Sequence, residues 1–129
     1  MKKRVTYVRA KGGEFALKVL IKVKAKKFVE NIKIVDKLPP IVKLYEKYGT
    51  INPDKIDEKN RRLEWNVENL DKGGEVMLSY IIYSKIRIMG KFALPPTTVI
   101  YEREGKVREA ESNKVFFITE ARKPEKIVK

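Results

Sequence analysis

The chain contains no cysteine, no histidine and no glutamine, and a single tryptophan. Without cysteine there is no disulfide framework, no thiolate nucleophile and no thiolate metal site. Without histidine, the commonest metal ligand and general base are both missing, and a Ser–His–Asp triad cannot be assembled in its usual form. No stretch approaches the ~20 apolar residues that a membrane-spanning helix needs. Met1-Lys2-Lys3-Arg4 is basic like the start of a secretory leader, but Val5 to Lys11 alternates and is too polar for the apolar segment that would follow. The expectation is no signal peptide and no transmembrane segment. That places the chain in the cytoplasm as written, or outside the cell if it is a fragment of a surface protein.

What is present is charge. Charged residues make up 36% of the 129 positions, with 30 Lys and Arg against 17 Asp and Glu, a formal net charge of +13. Abundant Lys and Glu with few thermolabile side chains is the bias of hyperthermophile proteins. A large positive excess favours encounters with nucleic acid, acidic lipid headgroups or acidic polymers. It also suits a lysine-rich surface that does no more than stay solvated. Hydrophobic residues make up 43%, enough to build one core in a chain of this length.

The apolar residues recur with period two, and helical periodicity is weak throughout. From Glu14 to Lys26, Leu17, Val19, Ile21, Val23 and Ala25 share one face, while Lys18, Lys22, Lys24 and Lys26 share the other. That pattern predicts a strand with one buried and one wet, basic side. Further strands are expected over Val29–Leu38, ended by Pro39-Pro40, and over Ile41–Tyr45. A polar loop is expected from Tyr48 to Arg61. Leu63, Trp65 and Val67 then alternate with charged or amide residues, which points the tryptophan inward. Asp71-Lys72-Gly73-Gly74 reads as a turn, followed by a long strand from Val76 to Ile88. Glu104-Gly105 reads as the tip of a hairpin between Thr98–Arg103 and Lys106–Ala110, and Lys114–Thr119 as the last strand. Seven or more strands at this spacing predict an all-β sandwich of mostly antiparallel strands. One domain over residues 1–120 and a charged, flexible tail over 121–129 are expected.

From about Gly12 to Ile118 the chain resembles the conserved-repeat, immunoglobulin-like domain of prokaryotic surface proteins. The resemblance rests on the alternating FALKVLIKVKA (Phe15–Ala25), on the Asp-x-Leu-Pro of IKIVDKLPP (Ile32–Pro40), on RLEWNVENLDKGGEVMLSYIIYS (Arg62–Ser84) with its tryptophan strand and Leu-x-x-Gly turn, and on the Ser-Asn of AESNKVFFI (Ala110–Ile118). It implies an immunoglobulin-like, non-enzymatic building block, often extracellular and in tandem copies. The single copy, the basic charge and Lys26-Lys27 in place of an Asn/Gly-rich turn depart from that pattern.

Candidate reactive groups are sparse. Asp36, singled out by the resemblance, has only lysines and prolines nearby in sequence and is expected to accept backbone N–H groups at the turn. Asp54, Asp57 and Glu58 do not follow calcium-loop spacing, and Lys55 and Lys59 oppose a cation. Glu102, Glu104, Glu109 and Glu111 would need a cleft at defined separation to act as a carboxylate pair; they are expected instead to balance Arg103, Lys106 and Arg108 across strands. Gly12-Gly13 and Gly73-Gly74 open no helix and make no phosphate loop. No catalytic residue, no metal and no cofactor is assigned, and the chain is expected not to be an enzyme.

The remaining candidate site is cationic. Lys18, Lys22, Lys24 and Lys26 would lie along one strand face, next-but-one neighbours about 7 Å apart, with Lys33 and Lys37 extending the row if the next strand pairs alongside. Exposed tyrosines among Tyr45, Tyr48, Tyr83 and Tyr101 would be needed for base stacking. The leading expectation is a structural or protein-interaction module, with a protein partner or larger assembly. Nucleic acid or an acidic surface is the alternative, and the oligomeric state is left open.

Overall fold

The structure, a computed structural model, describes residues 1–11, 14–40, 42–45, 48–84 and 90–119. The described residues form strands β1 (Lys2–Lys11), β2 (Glu14–Lys24), β3 (Val29–Lys37), β4 (Lys43–Tyr45), β5 (Lys55–Asp57), β6 (Arg62–Leu70), β7 (Glu75–Ser84), β8 (Gly90–Leu94), β9 (Thr98–Arg103), β10 (Lys106–Glu111) and β11 (Val115–Thr119). Two antiparallel sheets carry the fold, ordered β1-β2-β7-β4 and β10-β9-β3-β6-β5, and β8 pairs with β11 as a separate ribbon.

Strands β1, β2 and β7 occupy the A, B and E positions of an immunoglobulin sandwich, and β10-β9-β3-β6 the G, F, C and C′ positions. The fold is immunoglobulin-like and all-β. It departs from the usual topology in two places: β4 reaches the D position before the chain returns for β6, and β11 continues past the G strand to lie against β1.

Alternation explains why the sheets stack. Leu17, Val19, Ile21 and Val23 of β2 and Leu78, Tyr80 and Ile82 of β7 face Ile32 and Ile34 of β3 and Leu63 and Trp65 of β6, all buried. Each such side chain removed from water contributes about 1.5–3 kcal/mol before entropy is counted. Trp65 stacks on Tyr80 at a centroid distance of 6.1 Å and donates through Nε1 to the Ile51 carbonyl at 3.3 Å.

The turns follow their residues. The β9–β10 hairpin turns through Glu104 (φ 54°) and Gly105 (φ 74°), two consecutive left-handed residues, as a type I′ turn requires. Gly73 (φ 83°) lets Gly74 N–H donate to the Asp71 carbonyl at 2.8 Å. The polar loop is more ordered than its composition suggests. It contains β5, and Arg61 reaches back to donate to the carbonyls of Pro39 and Val42.

Besides β5, two strands were not expected as such, β1 and β8 (Gly90–Leu94). Lys2–Lys11 forms β1 and pairs with β2 along its whole length, with a bulge between Tyr7 and Arg9. Its apolar residues change parity along the strand, from Val5 and Tyr7 to Val8 and Ala10 across the bulge, and Lys3 stands in phase with Val5, so a single apolar stripe is missing from its sequence. The long strand expected to reach Ile88 is described as far as Ser84; Ile86, Ile88, Gly12-Gly13 and the expected tail over 121–129 lie outside the described residues.

Candidate functional site

Among the described residues, the one convergent set of polar groups within the core is built on Asp36. The alternation of β3 that turns Ile32 and Ile34 inward also turns Asp36 inward, where it has no exposure. Lys3 shares the inward phase of Val5 on β1 and crosses from the opposite sheet. Its Nζ donates to Asp36 Oδ1 and to the Pro95 carbonyl, both at 2.7 Å. Thr97 Oγ1 donates to Asp36 Oδ1 at 3.0 Å, and the Tyr80 hydroxyl donates to Asp36 Oδ2. The expected pairing of Asp36 with backbone N–H groups at the turn is therefore corrected: its partners are side chains brought from three distant segments.

A second layer holds the donors. Thr97 N–H donates to Ser112 Oγ at 2.8 Å, while Ser112 N–H donates to the Thr97 carbonyl at 2.9 Å. Asn113 reads the backbone of Lys3 with its amide: Lys3 N–H donates to Oδ1 at 3.0 Å and Nδ2 donates to the Lys3 carbonyl at 2.9 Å. That is the pairing a neighbouring strand would supply, made instead by one side chain.

Burial pushes the Asp36 carboxyl above its ordinary range, and the Lys3 ammonium, foremost by its charge, together with the hydroxyls of Tyr80 and Thr97 pulls it back. Burial, followed by the charge of Asp36, holds the Tyr80 phenol well above its ordinary range, so it stays a donor. Every partner is sealed between the sheets. A carboxylate with an ammonium and two hydroxyls on it, and no route to a substrate, fastens the sheets together.

The predicted cationic residues fall on two opposite surfaces. Lys18, Lys22 and Lys24 line the outer face of the β1-β2-β7-β4 sheet, and Lys26 follows in the turn after β2. Lys33 and Lys37 point from the outer face of the other sheet, because β3 pairs with β6 and β9 and not with β2. The single continuous row is corrected to two separated groups. Register supplies new members for the first: Lys2 lies opposite Lys22, and Arg4 opposite Leu20. Lys22 and Lys24 are partly offset by Glu75, at 3.5 and 4.0 Å.

The tyrosines sort in the same way. Tyr45 (53% exposed) meets Tyr83 edge-on at 6.4 Å on the outer face that carries Lys18, whereas Tyr48 and Tyr101 pack against the core.

The acidic candidates are placed as structure. Asp57 accepts from Asn60 N–H at 3.1 Å and from its Nδ2 at 2.9 Å, bonds that hold its carboxyl below the ordinary range. Asp54 accepts from Asn66 N–H at 2.6 Å, pinning the loop to β6. Glu102 accepts from Asn31 Nδ2 at 2.7 Å. The hairpin register sets Arg103 opposite Lys106, so the expected cross-strand charge balance is not made there. No group of three or more metal-ligating side chains occurs among the described residues, and they contain no helix long and apolar enough to cross a membrane.

Comparison with known proteins places the chain by shape. No family model matches it, and no curated protein matches by sequence. The RrgA Jo.In complex superposes with a TM-score of 0.62 at 13% identity, over 92% of this chain and 77% of that one. The GH20 exo-β-N-acetylglucosaminidase of Vibrio harveyi gives a TM-score of 0.58 at 7% identity, covering 88% of this chain; this chain spans only 17% of that enzyme's length. An uncharacterised protein of Nocardia farcinica with an immunoglobulin-like fold aligns over 90% of this chain at a TM-score of 0.48 and 13% identity. At these identities the likeness is one of fold, and the fold it shares is the sandwich that the strand order describes.

Proposed function

We propose that this protein is a non-catalytic structural or protein-interaction module. The observation that carries the reading is the Asp36 node. Among the described residues, the only polar groups that converge inside the fold are consumed in tying one sheet to the other, with Lys3 and Asp36 both at 0% side-chain exposure. Such a sandwich works by display: it holds its loops and sheet faces still for a partner, and limits the ordering entropy lost on binding.

Amide hydrogen exchange tests this. Slow exchange throughout β2, β3, β6 and β7, extending into the loop around β5, is expected of a rigid display module. Fast exchange in that loop would count against display. Turnover of any chromogenic glycoside, ester or phosphate would overturn the non-catalytic reading.

A second reading has one specific observation in its favour. Lys18, Lys22, Arg4, Tyr45 and Tyr83 share one outer sheet face, which combines cations for phosphates with aromatic rings for bases. Fluorescence anisotropy with single- and double-stranded nucleic acid at about 50 and 200 mM salt tests it. Binding that survives the higher salt and is lost on reversing Lys18 and Lys22 would support it; uniform loss at 200 mM would leave the charge as a surface property.

A further inference from the structure

At one end of the sandwich lies a half-open cavity of about 330 Å³, lined by residues of both sheets. Its floor is apolar and continuous with the core: Val23 closes β2 on one side, while Ile32, Val99 and Leu70 close β3, β9 and β6 on the other. Its rim is cationic. Lys24, Lys26, Lys27 and Arg103 line the cavity, and among the described residues no carboxylate does. The nearest acidic groups sit outside its wall: Glu75 is 4.0 Å from Lys24, and Glu30, Glu102 and Glu104 line an adjoining hollow beyond Lys27 and Arg103.

We infer that this cavity binds a single-chain anionic amphiphile, a carboxylate of fatty-acid type with its tail along the apolar floor and its head among Lys26, Lys27 and Arg103. The volume sets the tail. At about 30 Å³ per water-sized group, the cavity holds roughly ten non-hydrogen atoms. The lining sets the head, since an apolar floor favours a chain with no polar group along it and a rim of one sign favours the opposite charge. The inference is independent of the display reading, which concerns outer surfaces and loops.

Chain length separates a cavity from simple adsorption. Titration calorimetry of the whole chain with hexanoate, octanoate, decanoate and tetradecanoate, each below its micelle threshold, is the measurement. Affinity should rise about tenfold for every two carbons as far as decanoate and then level off. Decanol should bind about tenfold more weakly than decanoate, through loss of the rim charges. Ala110→Trp, which fills the cavity from β10, should abolish binding. Lys26→Glu with Lys27→Glu changes only exposed positions and should cost decanoate at least about tenfold while sparing decanol. Absence of decanoate binding, affinity that keeps climbing through tetradecanoate, or equal affinity for decanol and decanoate would each overturn the assignment.

Discussion

Lys3 and Asp36 meet 2.7 Å apart, each without solvent exposure, from strands that belong to opposite sheets. Their separation of 33 residues closes β1 over β3, and the two together are the only charged side chains buried in the core among the described residues.

Removing either partner strands the other. Lys3→Met or Asp36→Leu alone should cost about 3–5 kcal/mol, because an uncompensated charge stays buried. The double variant should recover much of that loss. Urea denaturation of the four proteins in a double-mutant cycle measures the coupling, and simple additivity would mean the pair is not a unit.

Asp36 also predicts a slope with pH. Its folded carboxyl sits above the unfolded value, so between the two the native state binds the extra proton. Its contribution is complete below the unfolded carboxylate range, about pH 4, and is lost as pH rises through the raised folded value. The stability of the wild type minus that of Asp36→Asn should therefore fall as pH rises from about 4. A difference that grows with pH would mean that Lys3 outweighs burial.

Tyr80 joins the node to the core. Tyr80→Phe keeps the ring on Trp65 and removes only the hydroxyl, which should cost about 1.5–3 kcal/mol, the range for a bond to a charged acceptor. Unfolding followed by Trp65 fluorescence reads it directly, since that ring is fully buried.

The hairpin tip offers a gain. Glu104 holds φ 54° without the side chain that favours it. Glu104→Asn creates the Asn-Gly pair preferred in type I′ turns and should raise stability by about 0.5–1 kcal/mol. Gly105→Ala should lower it by about 1–2 kcal/mol. Thermal melts of both variants decide this.

Much of the fold is legible from parity alone. The buried face of β2, the inward Trp65, the Gly73 turn and the Glu104-Gly105 hairpin all follow from neighbours two or three positions apart. The core node is not, because its groups lie 33, 44 and 61 residues from Asp36 in the chain. One local signal did exist: Lys3 sits in phase with Val5, at the position whose register partner is the buried Ile21. A lysine on the apolar phase of a strand asks for a carboxylate somewhere in the core. The lysine row misled for the opposite reason. Sequence adjacency put β3 beside β2, while the crossover of an immunoglobulin-like topology sends β3 to the other sheet.

The contact between Lys3 and Asn113 spans 110 residues. During synthesis the first strand emerges long before the amide that completes its edge. Until then β2 can pair with β1, but the Lys3 N–H and carbonyl have only water to bond. The domain thus withholds its final closure until Asn113 has left the ribosome, and a product truncated before it would keep the outer edge of β1 open to proteases.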